Sequence, residues 1–134
     1  MRYEIKPSAS KKFIDIGIQL KTHGKENIKM QLPAWRPGRY ELGNFAKNIR
    51  SFKVFGINKE PLTFKKITKD LWEINVLNSE SIHINYQYYA HELNAGSSFV
   101  NDELLYVNPV NCLMYDTEQI NSASELFINV PNNF

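Results

Sequence analysis

Every second residue of FIDIGIQLK is aliphatic. Ile14, Ile16, Ile18 and Leu20 fall on one face, and Asp15, Gly17 and Gln19 fall on the other. A two-residue period matches the pleat of a β-strand with one buried face, and a helix cannot present that pattern as a single stripe. The same period recurs in NIKMQL, where Ile28, Met30 and Leu32 face inward. It recurs in LWEINV, with Trp72, Ile74 and Val76 together, and in SIHINYQYYA. There Ile82, Ile84, Tyr86 and Tyr88 share one face, and His83, Asn85, Gln87 and Tyr89 share the other. Further strands are expected at Arg2 to Lys6, Ser51 to Phe55, Leu62 to Lys66 and Leu126 to Val130.

Turn signals separate these runs about every ten residues, a spacing typical of β-sandwiches. THGKEN reads as a hairpin-type connection in which Gly24 can take a positive φ, and GINKEP and ITKD separate two more pairs of strands. The expected fold is all-β, an antiparallel β-sandwich or large twisted sheet with at most one short helix. That helix would be a turn or two within ELGNFAKNI, kept short by Gly43. The segment from Ala90 to Asp116 lacks a clear period and reads as loop with short strands. LFINVPNNF ends on a strand and a proline turn, which reads as a domain truncated at its C-terminal end.

With 134 residues and 43% apolar content, the chain is sized for one domain with a substantial core. Its 16 cations and 14 anions leave a net charge of +2, and the cations are scattered. This pattern points to neither a nucleic-acid partner nor a membrane surface. No apolar run approaches the ~20 residues of a membrane-spanning helix. MRYEIKPSAS has no apolar core of a signal peptide, so a cytoplasmic location is expected unless a leader was removed. The single cysteine, Cys112, excludes an internal disulfide and reads as a buried small apolar residue.

The chemistry-bearing residues are sparse. His23, His83 and His91 have no helical metal-ligand spacing. His91-Glu92 is the first half of a His-Glu-x-x-His motif, but position 95 is alanine and the preceding residues read as strand. Tyr86 and Tyr88 fit a strand core, which leaves Tyr89 as the tyrosine available to a surface. Asp102 and Glu103 form an acid pair in the irregular segment.

The connector LPAWRPGRYELGNFAKN is unusual for its density of ring and backbone-restricting residues. Pro33 ends the preceding strand because it has no N–H to donate. Pro37-Gly38 is a turn dipeptide, flanked by Trp35 and Tyr40, whose rings can fold over it. An ordered loop of this kind suits a binding surface or a packed corner.

LPAWRPGRYELGNFAKNI also resembles the Pro-x-Trp-x-Pro-Gly-x-Tyr segment, with its following aromatic-Ala-basic-Asn element, of the glycyl aminopeptidase family of zinc metallopeptidases (metallopeptidase family 61, clan MA). FKVFGINKEPLTFKKITKDLWEI, INYQYYAHELNAGSSFVNDELLYVNP and INVPNNF follow the same family's N-terminal domain in order, so the resemblance spans nearly the whole chain. It implies an N-terminal β domain that precedes a thermolysin-like catalytic domain, and an activity that removes N-terminal glycine or alanine from peptides. The zinc ligands and the general base belong to that catalytic domain, and none of them maps here. The resemblance therefore implies a non-catalytic fragment, with no cofactor of its own and zinc held by the absent catalytic domain. Its partners would be that catalytic domain and, in the full-length protein, the peptide substrate. By similarity to leucine-type aminopeptidases, whose β domain caps the cleft, a group that reads the substrate's α-amino end would lie between His91 and Asn111. Asp102 and Glu103 are the acids offered there, with Asn101 and Asn108 as neutral alternatives. Trp35, Pro37, Gly38 and Tyr40 would shape the motif loop.

Two other readings account for the same aromatics: an independent β-sandwich module binding carbohydrate or a protein, and a structural or inhibitory subunit of a separate catalytic chain. A cap domain separated from its partner would expose an apolar patch, open to self-association, and an unpaired sheet edge.

Overall fold

The alternating runs form strands where expected. β1 (Arg2–Pro7), β2 (Phe13–Lys21), β3 (Asn27–Gln31), β4 (Ile49–Gly56), β6 (Leu71–Asn75) and β7 (Ser81–Tyr89) bury alternate residues, while β5 (Phe64–Thr68) and β11 (Glu125–Ile128) are exposed throughout. β8 (Phe99–Val100), β9 (Leu105–Tyr106) and β10 (Tyr115–Asp116) are two-residue strands within the irregular segment. The structure, a computed structural model, describes residues 1–34, 44–91 and 97–130. Among the described residues, helix is confined to a 3-10 turn at Phe45–Asn48, inside the segment expected to hold a short helix, and to one α turn, α1 (Pro109–Cys112).

The strands form a five-stranded sheet, β11-β1-β2-β7-β4, and a four-stranded sheet, β10-β3-β6-β5, with β8-β9 as a separate hairpin. The inward residues of both sheets belong to one hydrophobic cluster. Ile14, Ile16, Ile18, Ile82 and Ile84 come from the first sheet, and Ile28, Met30, Trp72 and Ile74 from the second. Each fully buried aliphatic side chain contributes about 1.5–3 kcal/mol. Phe52 joins the layers, stacking on Trp72 at 5.2 Å and on Tyr86 at 6.2 Å between centroids.

The pairing corrects one expectation. THGKEN makes a hairpin-like turn, since the Lys25 N–H donates to the Thr22 carbonyl at 3.1 Å, with His23 at φ 52° and Gly24 at φ 75°. Two positive φ angles define a type I′ turn. Yet β2 and β3 lie in different sheets, so the connection is an arch rather than a hairpin. A second arch, from β6 to β7, runs beside it. The Thr22 N–H donates to the Glu80 carbonyl at 3.0 Å, the Val76 N–H to that of Glu26 at 2.9 Å, and the Thr22 hydroxyl to that of Ser79 at 2.5 Å. The arches thus satisfy each other's backbone groups, which two isolated hairpin ends would leave to water.

Among the described residues all sheet pairings are antiparallel except β1 with β11, which is parallel. The Glu125 N–H donates to the Met1 carbonyl and the Asn129 N–H to that of Ile5. Odd-numbered residues of β11 therefore bond to β1, and the backbone groups of Leu126 and Ile128 point away from it.

Candidate functional site

The segment from residue 97 to residue 116 crosses from the end of one sheet to the edge of the other. It starts where β7 runs out: the Val100 N–H donates to the Ala90 carbonyl at 2.9 Å, and His91 bridges to Phe99. It ends as β10, paired with Gln31 and Met30 of β3. Between them β8 and β9 form a hairpin with Phe99 opposite Tyr106 and Val100 opposite Leu105.

Asparagine fits the first position of this hairpin's turn because its side chain can mimic a backbone acceptor. The Asn101 Oδ1 accepts the N–H groups of Glu103 at 2.8 Å and Leu104 at 2.7 Å, and the Asn101 N–H donates to the Leu104 carbonyl at 2.9 Å. Asp102 and Glu103 then stand exposed at the tip. Asn108 lies past the base of the hairpin, five residues beyond Glu103 and roughly 16 Å along the chain at the rise of a β-strand. Its N–H donates to the Ser98 hydroxyl at 3.0 Å, and its carbonyl accepts the Asn111 N–H at 3.0 Å. The four sequence-selected residues thus divide into an acidic tip with its turn-forming Asn101, and a separate Asn108 at the start of α1.

The segment is fastened from both sides. Beneath it, the Tyr86 hydroxyl donates to the Cys112 carbonyl and accepts the Met114 N–H at 3.3 Å. The Tyr3 hydroxyl donates to the Met114 carbonyl at 2.5 Å. Burial pushes the Tyr86 phenol well above its ordinary range. Burial, then the Asp116 carboxylate, pushes Tyr3 up to about 12. On the outer side the rings of Phe13, Tyr89, His91 and Phe99 follow one another at centroid distances of 5.4, 6.3 and 5.4 Å. Arg50 caps this row, 3.3 Å from the Phe13 centroid. The two tyrosine faces separate as the alternation requires: Tyr86 is 2% exposed and Tyr89 is 38% exposed.

Among the described residues no three of His, Cys, Asp and Glu converge. Cys112 is buried, which pushes its thiol up to about 12 and keeps the metal-binding thiolate from forming. Trp35, Pro37, Gly38 and Tyr40 of the motif loop lie outside the described residues, as does Glu92.

Two features escaped the sequence reading. The tyrosine hydroxyls that clamp residues 112–114 bridge separations of 26 and 111 residues, which no local pattern encodes. The apolar character of β11 extends to its solvent side, with Leu126 48% and Ile128 54% exposed. Its signal was present in the uninterrupted LFI run, which does not alternate.

A family model, the Peptidase M61 N-terminal domain, matches residues 2–134. Among solved structures, an aminopeptidase N family protein from Idiomarina loihiensis has the same fold, with a TM-score of 0.89 at 22% identity. The match covers 98% of this chain and 22% of that chain, so this chain spans about a fifth of that protein's length. No curated protein matches.

Proposed function

This chain belongs to the Peptidase M61 N-terminal domain family, and from that premise we propose that it caps the catalytic cleft of a zinc-dependent aminopeptidase and is inactive alone. The family match over residues 2–134 carries the reading. In the proposal, a catalytic domain of the same polypeptide holds the zinc and the general base, and the enzyme removes N-terminal glycine or alanine.

An exopeptidase has to recognise a free α-ammonium group, and a carboxylate is the strongest partner for it. The exposed tip of the β8–β9 hairpin offers two, Asp102 and Glu103, on a turn fixed by Asn101 and a base held by the Asn108 N–H on the Ser98 hydroxyl. A rigidly held acid costs little ordering when it binds, which supports this role. Asn101 has its Oδ1 engaged with two N–H groups, so in this reading it shapes the turn, and Asn108 supports the hairpin's base. The apolar strip on β11 supports a docking face for the remainder of the protein.

The test uses the full-length protein with Asp102→Asn and Glu103→Gln, separately and together. The outcome expected is a drop in kcat/KM for glycyl-anilide of at least about tenfold in one single variant and in the double variant, with zinc content and Tm unchanged. This corresponds to about 1.4 kcal/mol of lost transition-state binding. An unchanged kcat/KM in the double variant removes the hairpin from the site.

A further inference from the structure

A β-sheet exposes a row of unpaired N–H and C=O groups wherever it ends, and folded proteins blunt such edges with charge, bulges, short strands or a covering loop. Among the described residues, three of the four edges of the two main sheets carry these devices. β4 holds Arg50 and Lys53 around a bulge, with Ser51 at φ 57°. The far half of β4 is covered by the loop that follows it: the Leu62 N–H donates to the Val54 carbonyl at 2.9 Å, and the Gly56 N–H to that of Glu60 at 2.8 Å. β5 has Lys65 and Lys66 and a register shift between Lys66 and Thr68. β10 is two residues long.

β11 carries none of them. Its register with β1 runs unbroken from Glu125 to Ile128, and ELFINV, residues 125–130, has no cation and no proline. Leu126 and Ile128 stand beside Tyr3 and Ile5 in that register, so they lie on the core side of the sheet, yet they are about half exposed. Phe127 lies on the other side, where the Arg2 guanidinium holds its ring at 4.0 Å from the centroid. Parallel bonding to β1 leaves the N–H and C=O groups of Leu126 and Ile128 aimed at the open side, without partners among the described residues. A flat, uncharged and apolar edge of this kind templates pairing with another strand.

Self-complementarity selects the occupant. In a solution of this chain, the unprotected edge that β11 meets is the β11 of another copy. A two-fold axis through Phe127 lets the two strands run antiparallel, with Leu126 facing Ile128 of the second copy and Ile128 facing its Leu126. Each such pair exchanges both N–H···O bonds. The side chains agree with this register: Leu126 meets Ile128, Phe127 meets Phe127, and Glu125 meets Asn129 rather than another acid. Cross-strand apolar and aromatic pairs stabilise a sheet, whereas like charges directly opposite destabilise it. The pairing is isologous and the other edges are blunted, so it consumes both free edges and closes at the dimer. It engages the backbone edge and leaves the core-side flanks of Leu126 and Ile128, doubled across the axis, open to a covering layer.

We propose that this chain forms a closed dimer in which two β11 strands pair antiparallel about Phe127 and join the two five-stranded sheets into one.

The test combines sedimentation equilibrium with amide exchange on the ¹⁵N-labelled 134-residue chain, from about 10 µM to about 1 mM. A monomer–dimer equilibrium with a Kd on the order of 100 µM or tighter is expected. In the dimer the Leu126 and Ile128 amides should exchange at least about tenfold more slowly than at the lowest concentration. The Phe127 and Asn129 amides, which bond to β1, should be protected at every concentration. Leu126→Lys/Ile128→Lys sets like charges across the axis and should weaken dimerisation at least about tenfold. Leu126→Lys/Ile128→Glu sets opposite charges there and should dimerise at least about tenfold more tightly than the first variant. Both variants change exposed side chains and should keep Phe127 and Asn129 protected. A chain that stays monomeric at about 1 mM, oligomers that grow beyond the dimer, a dimer whose Leu126 and Ile128 amides exchange as in the monomer, or equal dimerisation of the two variants overturns the proposal.

Discussion

Replacing Tyr86 with phenylalanine removes one oxygen atom and leaves the ring in its site. The hydroxyl is nevertheless the partner of two buried backbone groups, the Cys112 carbonyl and the Met114 N–H. A buried polar group left without a partner costs about 1–3 kcal/mol. The Met114 contact is long at 3.3 Å, so its share belongs at the low end. The sum is a loss of about 2–4 kcal/mol in unfolding free energy. For a domain of this size that is a fall in Tm of roughly 6–16 °C. Urea unfolding followed by circular dichroism measures it, and the m-value should stay constant because the surface exposed on unfolding is unchanged. Hydrogen exchange adds a local readout: the Met114 amide, which lies outside any strand, should be protected in the parent chain and fast in the variant. Tyr89→Phe, on the exposed face, is the control and should stay within about 0.5 kcal/mol. A Tyr86→Phe variant equally close to the parent, with Met114 still protected, would show that the clamp does not hold this segment.

Other outcomes follow from the same contacts. Cys112 is held up to about 12 from an ordinary 9.0, so the folded chain keeps a proton that the unfolded chain releases. Stability from this group is complete below pH 9 and falls toward pH 12, by about 1.4 kcal/mol per pH unit. Urea midpoints across that range should show a decline that begins later in Cys112→Ala, because Tyr3 starts to contribute only near its ordinary 10.0. Gly24→Ala should cost about 1 kcal/mol, since φ is 75° at that turn position, and a variant as stable as the parent in thermal melts would contradict the turn geometry. The free edge and apolar faces of β11 should drive self-association of the isolated chain, which sedimentation should find reduced by Ile128→Lys.

Strand identity was legible because burial imposes alternation directly. β2, β6 and β7 each show every inward residue buried, from Ile14 through Tyr88. Partner choice was not legible at the arches, because THGKEN has the chemistry of a tight turn whether its flanking strands pair or diverge into two sheets. The hydrogen bonds between the two arches join Thr22 to Glu80 and Val76 to Glu26, and that decision is tertiary. β8, β9 and β10 are two residues each, too short for a period to register. At the hairpin, the acidic pair was visible as composition, while the engagement of Asn101 by the turn required coordinates. Gly17 stands in the polar face of FIDIGIQLK, and the side chains it meets there, His83 and Asn85, come from a strand about 70 residues away in sequence, so that neighbourhood emerges only once the strands are in register.

Zinc content and glycyl-anilide hydrolysis, measured side by side on the 134-residue chain and on the full-length protein encoded by the same reading frame, decide whether this domain is the cap of an aminopeptidase. One zinc per chain with hydrolysis in the longer protein, and neither in the shorter, is the expected result. A reading frame that stops at Phe134, or a longer protein that binds zinc and leaves N-terminal glycine uncleaved, would contradict it.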